Sequence, residues 1–421
     1  MDREIEVFVE LGDTTFLVGR LWSRSIKGRE SASFEYDQEW LKSDFRFPLA
    51  PLMSMDTGRH HTEVGKALFG AIGDSAPDRW GRALMRRAQR RVAERAGTDP
   101  RTLLEIDYLL WVDDALRQGA LRFREPNSAQ FLAHSQPRIP PLVELPRLLA
   151  ASEHVLADTD TDEDLQFLMA PGSSLGGARP KAAVRDADGS LAIAKFPHPG
   201  DDYNIERWSA LALNLARKAG IRVPDHRIVN IAEQPVLLVT RFDRYAERRI
   251  PFLSAMSMLG AADNETHSYL ELVDAIRQHG AEVELDLREL WRRLLFNVLA
   301  SNFDDHLRNH GFSYDQVRRG WILSPAYDLN PLPLDLKARN LSLLIDEQDN
   351  TASFELVIDV GEYFDLDKNE MKGIVAEVTA AVSQWRAKAV ALGISMGETN
   401  RMATAFDHKE LEEARQYADR S

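Results

Sequence analysis

The sequence has no cysteine, which excludes a disulfide-stapled scaffold, thiolate metal sites and a cysteine nucleophile, and fits a reducing cytosol. It also lacks any apolar stretch near the roughly 20 residues that span a bilayer. The opening residues, MDREIEVFVELGD, are acidic where a secretory signal needs a basic start and an apolar run. A cytoplasmic chain with no membrane role is therefore expected. Internal repeats and low-complexity tracts are missing. So are a Walker loop, a dinucleotide fingerprint and a Ser-His-Asp nucleophile motif. Positive charge is in deficit: 52 Lys+Arg stand against 66 Asp+Glu, a formal net charge of −14. That balance disfavours direct DNA binding.

What is present is a chain of 421 residues, 44% hydrophobic and 28% charged. This is a globular composition on a length that one core seldom serves, so two or three cores are expected. Short apolar runs at Glu6-Val7-Phe8-Val9 and Thr15-Phe16-Leu17-Val18 flank Gly12-Asp13 and predict a small antiparallel β unit. Ser75-Ala76-Pro77-Asp78 has capping-box spacing and predicts a long helix with Pro77 in its first turn. That helix carries Arg79, Arg82, Arg86, Arg87, Arg90, Arg91 and Arg95. These read either as a cationic stripe for DNA or an acidic partner, or more simply as a solvated face.

Prolines 126, 137, 140, 141 and 146 mark a domain connection, and the acidic stretch Asp158 to Asp164 reads as a solvated loop and helix start. Beyond it, strands are predicted at 181–185 and 191–196 around the turn Asp186-Ala187-Asp188-Gly189. A helix at 205–219 stops at Gly220, and further strands follow at about 226–231 and 235–241. After Glu265 the pattern is mainly helical, including a buried helix bearing Leu287, Leu290, Trp291, Leu294, Leu295, Val298 and Leu299. The expected domains are an N-terminal β/helix subdomain at 1–135, a nucleotide-binding lobe at 136–245 and a helical lobe at 246–421.

The densest chemistry follows that buried helix, in Ala300-Ser-Asn-Phe-Asp304-Asp305-His306-Leu-Arg-Asn309-His310. Asp304 and Asn309 have the spacing of the base Asp and metal-binding Asn of a kinase catalytic loop. A carboxylate can take a hydroxyl proton, and an amide oxygen suits Mg²⁺. Asp328, after Ile322-Leu-Ser-Pro-Ala-Tyr327, would supply a second metal carboxylate. Two other readings stand beside this one. His306 and His310, with Asp304 or Asp305, have spacing for a transition-metal hydrolase; alternatively, the loop carboxylates only cap helices. Upstream lie a Gly-rich segment, Ser173-Ser174-Leu-Gly176-Gly177-Ala-Arg-Pro-Lys181, then Lys195 ending an apolar strand and Glu206 opening a helix. The order of these parts is that of a kinase.

Ser174-Leu-Gly-Gly-Ala-Arg-Pro-Lys181, Arg241-Phe-Asp-Arg244, Asp304-Asp-His-Leu-Arg-Asn309 and Tyr327-Asp328 together resemble the motifs of the HipA family. Asp74-Ser-Ala-Pro-Asp-Arg79 is similar to a Pro-Asp turn of the same family. Members are serine/threonine kinases that act as toxins in toxin–antitoxin pairs. The resemblance implies an α+β, protein-kinase-like two-lobed fold, with a mixed β/α N-lobe, a mainly helical C-lobe and an extra N-terminal β/helix subdomain. It implies ATP and Mg²⁺ as cofactors, with Asp304 as general base, Asn309 and Asp328 on the metal, and Lys195 on the phosphates, helped by His306. Ser174, Gly176 and Gly177 of the loop and Tyr327 fall among the family's nucleotide-binding positions. The backbone of Thr240 and Phe242 would meet adenine, and Asp243 would lie near the ribose. Ser174, or neighbouring Ser173, would be autophosphorylated, silencing the kinase through added negative charge.

The usual Asp-Gly-His of the family is here Asp304-Asp305-His306, and Glu206 lies about one turn from where a gapless match puts the helix glutamate. The implied partners are a protein substrate on the translation machinery, such as an aminoacyl-tRNA synthetase, and a HipB-like helix-turn-helix antitoxin. DNA would be reached only through that antitoxin. The competing class is a catalytically weak kinase-fold module acting mainly as a corepressor with the antitoxin.

Overall fold

The computed structural model describes residues 3–133, 139–169, 177–246 and 248–419. Alternating apolar residues build β1 (Arg3–Leu11), β2 (Thr14–Ile26) and β3 (Arg29–Tyr36), joined by tight turns. With β4 (Arg59–His61) and β5 (Leu121–Arg124) they form one sheet in the order β4-β3-β2-β1-β5. Gly19 is required within β2, because a Cβ there would meet the Glu35 carbonyl oxygen of β3 at 2.2 Å. The expected antiparallel β unit about Gly12-Asp13 is present.

Next comes the helix Arg79–Ala96, and its start corrects the expectation. Asp78, not Ser75, is the N-cap, its Oδ1 accepting the Gly81 N–H at 2.8 Å. Pro77 thus precedes the cap, while the Ser75 hydroxyl donates back to the Ile72 carbonyl. Gly97, at φ 64°, closes the helix. Four of its arginines, Arg82, Arg87, Arg91 and Arg95, are engaged in ion pairs. Arg87 and Arg91 both grip the buried Asp160 carboxylate, Arg87 also reaches Asp158, and Arg95 pairs with Asp162. Arg82 forks onto Glu105 at 2.5 and 2.7 Å. The basic helix and the acidic 158–164 stretch are therefore two halves of one contact. It seats the helix Asp162–Met169 against the helix Arg79–Ala96.

A second sheet, of β6 (Lys181–Arg185), β7 (Leu191–Lys195), β8 (His226–Ile231) and β9 (Gln234–Thr240), runs in the order β6-β7-β9-β8. Ala182, Val184, Ala192, Ala194, Val236 and Leu238 pack with Leu145, Leu148 and Leu149 from the helix Leu145–Leu156. Small alanines on the strands let the helix lie close.

The chain divides into two compact units: Met1–Gly200 with Val229–Leu253, and Asp201–Ile228 with Ser254–Ser421. The second unit is built mainly from helices. Asn204 caps Ile205–Lys218 by accepting the Arg207 N–H, and Gly220 terminates it at φ 80°. The helix Val283–Leu299 is buried on nearly every side and is held at its midpoint by the Trp291 indole donating to the Val357 carbonyl. Trp385 and Phe406 stack at 4.7 Å between ring centres, close to Trp208. No helix among the described residues is long and apolar enough to cross a membrane.

Candidate functional site

In the second unit the buried helix Val283–Leu299 ends at Ala300 and delivers the chain into the 301–310 loop. Ser301 adopts φ 52°, a left-handed turn that breaks the helix sharply. From there the side chains alternate. Asp304, His306 and Arg308 are exposed, whereas Phe303, Asp305 and Leu307 are buried. The adjacent carboxylates thus have opposite fates. Asp304 faces out, and its backbone carbonyl accepts the Asn309 side-chain N–H at 2.6 Å. That bond uses the donor end of the Asn309 amide and does not engage its oxygen.

Asp305 points inward. Its Oδ1 accepts the Ser342 N–H and its Oδ2 the Tyr269 hydroxyl, each at 2.7 Å. Burial pushes its carboxyl up to about 6 despite these two donors. Tyr269 is shifted well upward, first by burial and then by the Asp305 charge.

One segment, 327–330, meets this loop at two points. Tyr327 donates its hydroxyl to the Arg308 carbonyl at 2.8 Å, and Asn330 N–H donates to Asn302 Oδ1 at 2.9 Å. Between them Asp328 holds φ 56°, a left-handed conformation that costs a non-glycine residue energy and recurs at functional sites. Asp304, Asn309, Tyr327 and Asp328 are thereby tied into one loop cluster within the second unit. Asn309 and Asp328 contribute an amide and a carboxylate oxygen, the hard donors that Mg²⁺ takes.

His310 departs from the transition-metal reading. Its ring is buried edge-on to Tyr269, with Nε2 3.2 Å from the Asp305 carbonyl, while His306 is exposed. Burial, then the Arg293 charge, lowers His310 to about 3. Among the described residues no group of three or more His, Cys, Asp or Glu is arranged to hold a metal. Glu206 is buried in the first turn of its helix.

In the first unit, Lys195 closes β7, in register with Leu237 of β9 and Lys181 of β6. Thr240 ends β9 opposite Ala192, and half-buried Phe242 lies against Phe252. The Asp243 carboxylate is fully buried and accepts from Arg241, Arg244 and the Gly119 N–H at 2.6–2.9 Å, so it ties the end of β9 to the 116–119 turn. Gly177 adopts φ 99°, open only to glycine, and its carbonyl accepts the Trp80 N–H at 3.4 Å. Ser173, Ser174 and Gly176 lie outside the described residues.

Sequence reasoning missed Tyr269, Asn297, Asn302 and Ser342, which hold the loop from behind. Asn302 lies within the singled-out segment without a role of its own, and Asn297 left a signal as an amide within the apolar run Leu294-Leu-Phe-Asn-Val-Leu299.

Residues 173–385 match the HipA-like C-terminal domain and residues 13–106 the HipA N-terminal domain. The chain belongs to the HipA family. Among relatives, a Haemophilus influenzae protein named a candidate kinase is 29% identical over 139 residues. That match takes in 29% of this chain and spans only 40% of the relative's length. The Sinorhizobium fredii protein Y4mE, also named a candidate kinase, is 25% identical over 331 residues, 70% of this chain and 71% of its own. HipA of Shewanella oneidensis MR-1, solved with HipB and operator DNA, superposes with a TM-score of 0.68 at 16% identity, covering 99% of this chain and 100% of that one. The architecture is thus the HipA protein-kinase-like α+β fold.

Proposed function

We propose that this HipA-family chain is an ATP-dependent serine/threonine protein kinase. The observation that carries the reading is the 304–309 loop, where Asp304 is exposed while the Asn309 amide nitrogen is spent on the Asp304 carbonyl. On this reading Asp304 accepts the proton of a serine hydroxyl as that oxygen attacks the γ-phosphate, and ADP leaves. Proton acceptance of this kind contributes about 10²–10⁴-fold. Asn309 and Asp328 would hold Mg²⁺, which when bound supplies charge neutralisation at the transferring phosphate. Lys195, assisted by His306, would orient the phosphates. Gly176, Gly177, Tyr327 and the backbone of Thr240 and Phe242 would be the nucleotide-binding positions. Residues 136–245 would form the nucleotide-binding lobe and 246–421 the lobe carrying the catalytic loop.

The substrate class is a serine on a protein of the translation machinery, with self-modification at Ser174 or Ser173 as the off-switch. The regulatory partner is a HipB-like antitoxin; the Shewanella oneidensis relative was solved with HipB and operator DNA, which supports that choice. Purified protein incubated with radiolabelled ATP and Mg²⁺ tests the activity. Label is expected on the chain and is expected to vanish in Asp304→Gln. An unlabelled wild type, or a fully active Asp304→Gln, overturns the reading.

A further inference from the structure

Behind the 301–310 loop runs an unbroken chain of buried polar groups. Ser342 N–H donates to Asp305 Oδ1 at 2.7 Å, and the Tyr269 hydroxyl donates to Asp305 Oδ2 at 2.7 Å. Asn297 Nδ2 donates to the Tyr269 oxygen at 3.0 Å, Asn302 Nδ2 donates to Asn297 Oδ1 at 2.9 Å, and Asn330 N–H donates to Asn302 Oδ1 at 2.9 Å. The chain begins 37 residues beyond Asp305, passes through two helices, and ends two residues past Asp328. Asp305, Asn297, Asn302 and Asn309 also line one small cavity under the loop.

Such a network fixes a unique geometry only if each member is satisfied, and each deletion leaves a buried group unpaired. Asp305 is its one charged member. A residue without a side chain at 305 could accept neither of these two hydrogen bonds, so the carboxylate anchors the loop from within.

We propose that Asp305 is a positioning residue, which through Tyr269 and Ser342 locks the 304–309 backbone and keeps Asp304 and Asn309 in fixed relation to the Asp328 segment. Its kinetic consequence rests on the kinase reading above; the positional one does not.

The test compares wild type, Asp305→Asn, Tyr269→Phe and the double variant in the full chain. Amide hydrogen exchange read by mass spectrometry should speed up about tenfold over 303–309, the effect of losing one net hydrogen bond, while the Val283–Leu299 helix stays protected. Phosphate transfer should fall about 10–100-fold in kcat, with the KM for ATP within twofold, as expected of a misplaced group. The double variant should be no worse than the poorer single, since both substitutions break the same link. Unchanged exchange over 303–309, or additive losses in the double variant, overturns the proposal. Tyr269→Phe removes one oxygen and preserves packing, so it decides the matter should Asp305→Asn unfold. A wild type without phosphate transfer sinks the kinase reading alone, because the exchange comparison still judges the positioning role.

Discussion

Asp304 and Asp305 are identical in chemistry and adjacent in sequence, yet one is exposed and the other is among the most enclosed carboxylates of the molecule. Spacing could not separate them, because only the direction of the loop backbone decides which side chain meets water. Burial raises Asp305 from 3.8 to about 6. The folded chain therefore holds that proton more tightly than the unfolded chain does. The resulting stabilisation is complete below about pH 4 and is lost as pH rises through about 6. Asp305→Asn lacks the term. Its unfolding free energy should gain on wild type by about 2 kcal/mol between pH 4 and pH 6, at up to about 1.4 kcal/mol per pH unit, and run parallel above about pH 7. Urea titrations across that range check the slope.

Lys181 and Asp78 form a second enclosed pair, at 2.7 Å and almost free of solvent. Lys181→Met should cost about 3–5 kcal/mol by stranding the Asp78 charge, and adding Asp78→Asn should recover much of it. Chemical denaturation of both variants measures this.

At the scale of elements, the β unit, the strand pair about residues 186–189, the helix 205–219 and the buried helix after 283 were all legible from periodicity and turn residues. The start of the arginine helix was not. Serine and aspartate are both good caps, and the choice went to Asp78, the residue that also pairs with Lys181 across 103 positions. What the arginine stripe faces was not legible for a related reason: periodicity shows that charges share a face but not what opposes it. Here the opposing surface is the acidic 158–164 stretch. Asp160→Asn should therefore lower stability by about 1–3 kcal/mol, a drop of several degrees in melting temperature. A nucleic-acid stripe predicts no such loss, and differential scanning calorimetry distinguishes the two.

For the whole molecule, the excess of 14 negative charges and the engagement of Arg82, Arg87, Arg91 and Arg95 in ion pairs point the same way. The purified chain alone should show no salt-sensitive retention of duplex DNA in a mobility-shift assay, since such binding depends on neutralising phosphates with available cations. Retention at moderate salt by this chain without a basic partner would contradict the proposed division of labour.

Composition and local pattern by themselves determined the mixed α+β class, most element positions, the kinase-like order of motifs and the family, because these depend on residue type and short-range spacing. Tertiary structure alone decided that Asp305 is anchored while Asp304 is exposed, that Asp243 is spent on Arg241 and Arg244, and that Tyr269 and Asn297 support the loop. Each of those outcomes is a choice between equivalent polar groups. Burial and the partners brought in from distant sequence make that choice, and neither is written in the neighbouring residues.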